Sequence, residues 1–106
     1  MARQYFVYIL TTRRNTVLYT GVTNNLVRRV QEHRASPGPP SFTRRYAVTK
    51  LVYYEVWPTA LEAIGREKQL KAGSRKRKVD LIERLNPRWN DLISITAADP
   101  TQRRLI

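Results

Sequence analysis

The sequence predicts a small α+β domain, a three-stranded antiparallel sheet flanked by helices in the order β-β-α-β-α-α. Three observations predict it. Two aromatic and β-branched runs, residues 5–10 (YFVYIL) and 17–20 (VLYT), are separated by one short polar stretch, as in a hairpin. Residues 51–57 (LVYYEVW) form the strongest strand pattern in the chain. The segments between and after these strands repeat apolar residues every three to four positions. With 106 residues, 42% of them apolar, the chain has material for one core and little for a second.

In chain order, the first strand runs into the polar turn 11–16, which carries Arg13, Arg14 and Asn15. A turn centred on Arg13 and Arg14 sets Tyr8 opposite Tyr19, so that the two share a face in mid-hairpin. Gly21 interrupts the second strand. Thr23, Asn24 and Asn25 are N-cap residue types ahead of a helix. On that helix Leu26 and Val30 form an inward stripe, and Arg29 and His33, also four apart, share a neighbouring face. Ser36-Pro37-Gly38-Pro39-Pro40 ends the helix near Arg34 and opens a loop to about Val48. Pro58 ends the third strand. Thr59 and Glu62 make a T-x-x-E capping box for a second helix reaching about Lys71. Ala60, Ala63 or Ile64, Glu67 and Leu70 fall on one stripe of it, which sets a carboxylate in line with apolar residues. After Gly73, Ser74 caps a third helix with Val79, Ile82 and Leu85 inward, and Asn86-Pro87 ends it. Trp89 and Leu92 pack as a terminal turn. The domain is expected to occupy residues 1–93, with 94–106 a loosely ordered tail that shows no periodicity.

Twenty Lys and Arg face eight Asp and Glu, a net charge of +12. The absence of cysteine excludes disulfides, thiol catalysis and Cys-based metal sites, and a single histidine excludes a multi-histidine site. No apolar run approaches the roughly 20 residues of a membrane span, and the N-terminus lacks a signal-peptide pattern. The expected location is the cytoplasm, with association with a bacterial nucleoid also open, and no membrane partner is expected. The charge points to a polyanion, nucleic acid first. Residues 66–78 hold seven cations and one acid. In that run Lys68, Lys71, Arg75, Lys76, Arg77 and Lys78 are expected to hold a phosphate backbone without reading sequence. A solubilising surface is the plainer alternative. Arg44 and Arg45, with Tyr46, are expected to add backbone and stacking contacts from the loop.

The triplet Phe6-Val7-Tyr8, followed by Tyr19-Thr20-Gly21 and the run YTGVTNNLVRRVQEH, resembles the paired signature of the GIY-YIG nuclease superfamily, especially its small stand-alone members. The resemblance covers about residues 5–92. It implies a catalytic arginine at Arg29, a histidine partner at His33 and a single metal-binding glutamate at Glu67, within AIGREKQLK. It also implies Tyr8 as general base, with Tyr19 orienting water or holding geometry. His33 is the alternative proton acceptor or a support for Tyr8. The chain departs from the pattern in its first triplet (FVY) and at Val22, where excision-repair members carry lysine. It departs again at Ala72-Gly73, where small relatives carry a bulky aromatic. Asn86 is a candidate match for an asparagine that contributes in some members.

Taken singly, each residue has a plainer reading: strand packing for the tyrosines, a solvated face for Arg29, a helix-end histidine for His33, an ion pair with Lys71 for Glu67. As an ordered set they suit phosphodiester hydrolysis. One carboxylate can hold one Mg²⁺ or Mn²⁺. Arginine forks onto phosphate oxygens. A phenol, with a pKa of about 10, serves as base at neutral pH only if neighbouring cations lower it. The expected function is therefore a metal-dependent DNA endonuclease, structure-selective or weakly specific, with RNA as the other substrate chemistry and a targeting protein as a further partner. The alternative is a non-catalytic nucleic-acid-binding module that keeps the fold. A membrane-surface protein is weaker, because no basic helix has a free apolar face.

Overall fold

In the computed structural model, which describes residues 4–35 and 48–93, strand β1 (Tyr5–Thr11) lies between β2 (Leu18–Thr23) and β3 (Lys50–Trp57) and runs antiparallel to both. Helices α1 (Leu26–Ala35), α2 (Ala60–Ala72) and α3 (Arg75–Leu85) complete the expected β-β-α-β-α-α order. Arg44, Arg45 and Tyr46, the proline-rich stretch and the 94–106 tail lie outside the described residues. Among the described residues no helix is long and apolar enough to cross a membrane.

Alternation along β1 sorts the core onto two faces of the sheet. Tyr8 and Leu10 join Leu26 and Val30 of α1, with Leu51 and Ile93. Val7 meets Ala63 and Leu70 of α2, and Ile9 meets Ile82 of α3. The central strand is thus buried on both sides, from Val7 to Thr11. A bulge between the Ile9 and Leu10 pairings puts one extra residue, Val52, into β3. It allows Leu51 to join the α1 face while Val52 and Tyr53 both pack with Ile9. Asn86 Nδ2 donates to the bulged Val52 carbonyl at 3.1 Å and to Asn90 O at 2.8 Å, and Asn86 Oδ1 accepts from Asn90 N. Its amide is therefore engaged with backbone, holding the bulge against the turn after α3.

The caps form where the sequence expects them. Asn25 Oδ1 accepts from Arg28 N, Thr59 Oγ1 from Glu62 N and Ser74 Oγ from Arg77 N, each at 3.2 Å. Such a cap stabilises a helix by about 1 kcal/mol. The Thr59 box closes through its side chains, Thr59 Oγ1 donating to Glu62 Oε2 at 2.8 Å.

Three expectations are corrected. The hairpin register is shifted by two residues, so Tyr8 faces Gly21 and Tyr19 faces Leu10. The turn does hold Arg13 and Arg14 at its centre, closed by Asn15 N–H donating to Thr12 O, and Asn15, in the left-handed region at φ 60°, is the added residue that moves the register. Gly21 does not interrupt β2 but lies within it. Leu85 is 74% exposed and outside the core, because it is the last residue of α3 and the chain turns there to set Asn86 and Trp89 against Val52 in its place.

Candidate active site

A register shift of two leaves side chains on their own faces, so Tyr8 and Tyr19 still sit side by side, diagonally, with ring centroids 6.3 Å apart. Opposite Tyr8 stands Gly21. A Cβ placed there would come within 2.4 Å of the Tyr8 hydroxyl oxygen and 2.5 Å of Cζ. The hydroxyl end of the phenol therefore occupies the space beside the glycine that any other residue's Cβ would fill. Gly21, part of the Tyr19-Thr20-Gly21 triplet, thus serves the site by leaving room for the Tyr8 ring, and it does not break the strand.

Helix α1 supplies the other side. Its inward residues Leu26 and Val30 fix its roll against β1, and Arg34 fixes its end. Arg34 donates to the Thr49 carbonyl at 2.7 Å, the Ile93 carbonyl at 3.0 Å and Asp91 at 2.6 Å, while Asp91 Oδ1 takes the Leu51 N–H. Immediately before Arg34, His33 is 7% exposed, and its Nε2 lies 3.0 Å from the Tyr8 hydroxyl. Its ring meets Tyr19 edge-on at 5.3 Å. Burial, with the Arg29 charge beside it, pushes the His33 pKa down to about 4, so the imidazole is neutral at pH 7. A neutral ring with its proton on Nδ1 accepts from the Tyr8 hydroxyl, and the other tautomer donates to it.

Arg29 acts on the same hydroxyl by favouring its charged form, and it shares its guanidinium with Glu32 at 3.1 Å. Its side chain is 42% exposed, so the cation stands at the mouth of the site. Arg29 does lower the Tyr8 pKa, but not enough to make the phenol a base by itself. Burial outweighs Arg29 and holds the phenol up at about 12, with the charges of Tyr19 and Glu67 adding to the rise. At rest Tyr8 is a neutral, hydrogen-bonded acid.

Glu67, on α2, adds its charge to the rise in the Tyr8 pKa. It lies on α2 between the buried Ala63 and Leu70, with its side chain 13% exposed and paired to the half-exposed Lys71 at 2.8 Å. The plainer reading of Glu67, a Lys71 partner, thus holds together with its unusual position. Among the described residues no group of three or more His, Cys, Asp or Glu could hold a metal ion. A divalent ion here would have one protein ligand, which suits Mg²⁺, since it keeps several waters and takes phosphate oxygens beside one or two carboxylates.

The structure thus brings Tyr8, Tyr19, Arg29 and His33 into contact and Glu67 within electrostatic reach. The expected backbone-binding residues are more scattered. Arg75 donates to the Asn15 and Thr16 carbonyls, Lys76 pairs with Asp80 at 2.9 Å and Lys78 reaches the Gly73 carbonyl. Lys68 and Arg77 are exposed.

A second polar cluster escaped the sequence reading. On the other face of the sheet Glu55 accepts from Arg66 Nε and Nη2, each at 2.9 Å, from Trp57 Nε1 at 3.0 Å, and from the Tyr53 hydroxyl. Burial alone would raise the Glu55 pKa, but the bonds from Arg66, Tyr53 and Trp57 outweigh it and the net shift is downward. The odd-numbered pattern Tyr53, Glu55, Trp57 on one strand face was the available signal.

Three comparisons bear on this geometry. Residues 4–80 match the GIY-YIG catalytic domain family. A UPF0213 protein of Staphylococcus haemolyticus is 39% identical over 83 residues, covering 78% of this chain and 98% of its own. Another from Natronomonas pharaonis is 39% identical over 82 residues, 77% and 94% of the two chains. The solution NMR structure of a UPF0213 protein from Bacillus halodurans superposes with a TM-score of 0.52 at 28% identity, over 88% of this chain and 99% of that one.

Proposed function

The chain belongs to the GIY-YIG catalytic domain family, a nuclease family, and from that premise we propose that it is a metal-dependent endonuclease hydrolysing phosphodiester bonds in DNA, structure-selective or weakly specific in its choice of substrate. One observation carries the reading: a buried tyrosine hydroxyl held between a neutral histidine at 3.0 Å and a half-exposed arginine, with a glutamate on α2 within electrostatic reach.

In this reading Arg29 turns from Glu32 to the non-bridging oxygens of the scissile phosphate and stays charged throughout. Tyr8 orients the attacking water and takes its proton as the phenol's own proton passes to His33 Nε2, so that no free phenolate is needed. Tyr19 closes the far side of the imidazole and fixes its plane. Glu67 would hold one Mg²⁺ or Mn²⁺, exchanging Lys71 for the ion. That ion supplies charge neutralisation at the phosphate and a more acidic bound water. The basic residues of 66–78 keep the backbone in place.

The test is incubation of the purified protein with branched, single-stranded and duplex DNA in Mg²⁺ or Mn²⁺. Cutting is expected, and it should fall by about a hundredfold or more in Glu67→Ala and Arg29→Ala. Cutting undiminished in both variants would sink the site. A non-catalytic nucleic-acid-binding module is the second reading, favoured by the Glu67–Lys71 pair and the high Tyr8 pKa. It expects salt-sensitive binding and no cleavage with any divalent ion.

A further inference from the structure

The described carboxylates are all engaged. Glu32 meets Arg28 and Arg29, Glu55 meets Arg66, Glu67 meets Lys71, Asp80 meets Lys76 and Asp91 meets Arg34, while Glu62 and Glu83 bond Thr59 and Trp89. The surplus cations therefore have no acid to neutralise them, and their places in the fold matter. Arg13, Arg14, Lys68 and Arg88 stand on open surface. Arg77, Lys78 and Arg84 instead line one cleft between α2 and α3, with a volume of about 220 Å³ and Leu70 and Leu81 among its walls. The other two charges there cancel against their own partners, Arg66 against Glu55 and Asp80 against Lys76. The cleft thus carries the charge of three cations.

Two features make it more than a charged surface. Arg77 and Arg84, seven residues apart, project along one side of α3 over two turns, and Lys78 borders the cleft from the neighbouring side. Cationic side chains thus converge on a recess walled in part by leucine, which suits a phosphate group with its ester carbon.

We propose that this cleft is a second phosphate-binding site, taking a backbone phosphate of the nucleic acid away from the bond that is cut. It rests on the nucleic-acid reading above but not on catalysis. Val7 and Ile9 face α2 and α3 while Tyr8 faces α1, so the cleft and the Tyr8 hydroxyl lie on opposite sides of the sheet. A nucleic acid engaging both must pass around the sheet edge, which favours bent, branched or single-stranded backbone over a straight duplex.

The test measures binding without divalent metal, by anisotropy of labelled branched and duplex DNA across a salt series. In Arg77→Gln/Arg84→Gln, affinity for branched DNA should fall about tenfold or more, and the log–log salt slope should shrink by about two. The charge-matched Arg13→Gln/Arg14→Gln should stay within about twofold of the parent, with circular dichroism spectra of both variants unchanged. Equal losses in the two variants, or none in the first, would overturn the site. An NMR titration with inorganic phosphate separates the sources of the anion. Perturbed Arg77 and Arg84 Nε–Hε signals that DNA competes away support the backbone site, whereas phosphate that DNA cannot displace overturns it. A protein that binds through the cleft and never cuts would defeat the nuclease reading alone. One that cuts but binds equally well as Arg77→Gln/Arg84→Gln would defeat the cleft alone.

Discussion

The two faces of the sheet carry nearly the same parts, a tyrosine, an arginine and an acceptor, put to opposite uses. Behind the sheet Tyr53 bonds Glu55, which is closed by Arg66 and Trp57, and its phenol is pushed up to about 12 by burial and by that carboxylate. In front, Tyr8 is pushed up to about 12 as well, but its partner is a neutral imidazole and its arginine stands 42% exposed. The first cluster is balanced in charge and has no capacity left. The second keeps an open cation and a movable proton. A perturbed tyrosine alone does not mark a reactive site here; closure of its partners separates structure from chemistry.

Gly21→Ala should break the front cluster most severely. The new Cβ must displace the Tyr8 ring and its bond to His33, at a cost of about 1–3 kcal/mol in chemical denaturation and about a hundredfold or more in cleavage. Gly65→Ala is the contrast. Nothing lies within 4 Å of that position on α2, and relief of helix glycine should stabilise by about 0.5–1 kcal/mol.

These two glycines also show what the sequence made legible. Caps, strand cores and the two pairs Tyr8 with Tyr19 and Arg29 with His33 are readable because each depends on local pattern, whereas the joining of the pairs into one site is what the family resemblance implies. The purpose of Gly21 is not readable, since it depends on which residue faces it across β1, and that pairing hangs on the left-handed Asn15 in a turn with several plausible centres. The Glu55–Arg66 pair was hidden for a related reason: eleven residues and a helix packing angle separate its members. The Tyr8 pKa ran against expectation because burial, which no charge count reveals, outweighs the arginine.

Glu55→Gln should damage the rear cluster next most, by about 2 kcal/mol of stability, since it leaves Arg66 without its counter-charge at a site only partly open to water. Denaturant titration with an unchanged slope checks it. The front cluster has its own acid signature. Its His33 pKa is about 4 in the fold against 6.5 when unfolded, so the unfolded chain binds more protons in that window. This contribution to stability is complete above pH 6.5 and is lost as pH falls through 4. His33→Gln should flatten the denaturation midpoint between these values, whereas an unaltered pH profile would place the loss elsewhere.

The most direct measurement sets the two tyrosines side by side: DNA cleavage in Mg²⁺ or Mn²⁺ by the parent, Tyr8→Phe and Tyr53→Phe. Removal of the Tyr8 hydroxyl should cut the rate by about 10²–10⁴, the span of a lost proton-transfer group. Removal of the Tyr53 hydroxyl should cost about 1 kcal/mol of stability and leave the rate within a fewfold of the parent. Equal rates for Tyr8→Phe and the parent, or a loss in Tyr53→Phe as deep as that in Tyr8→Phe, would contradict the assignment of the chemistry to the open cluster.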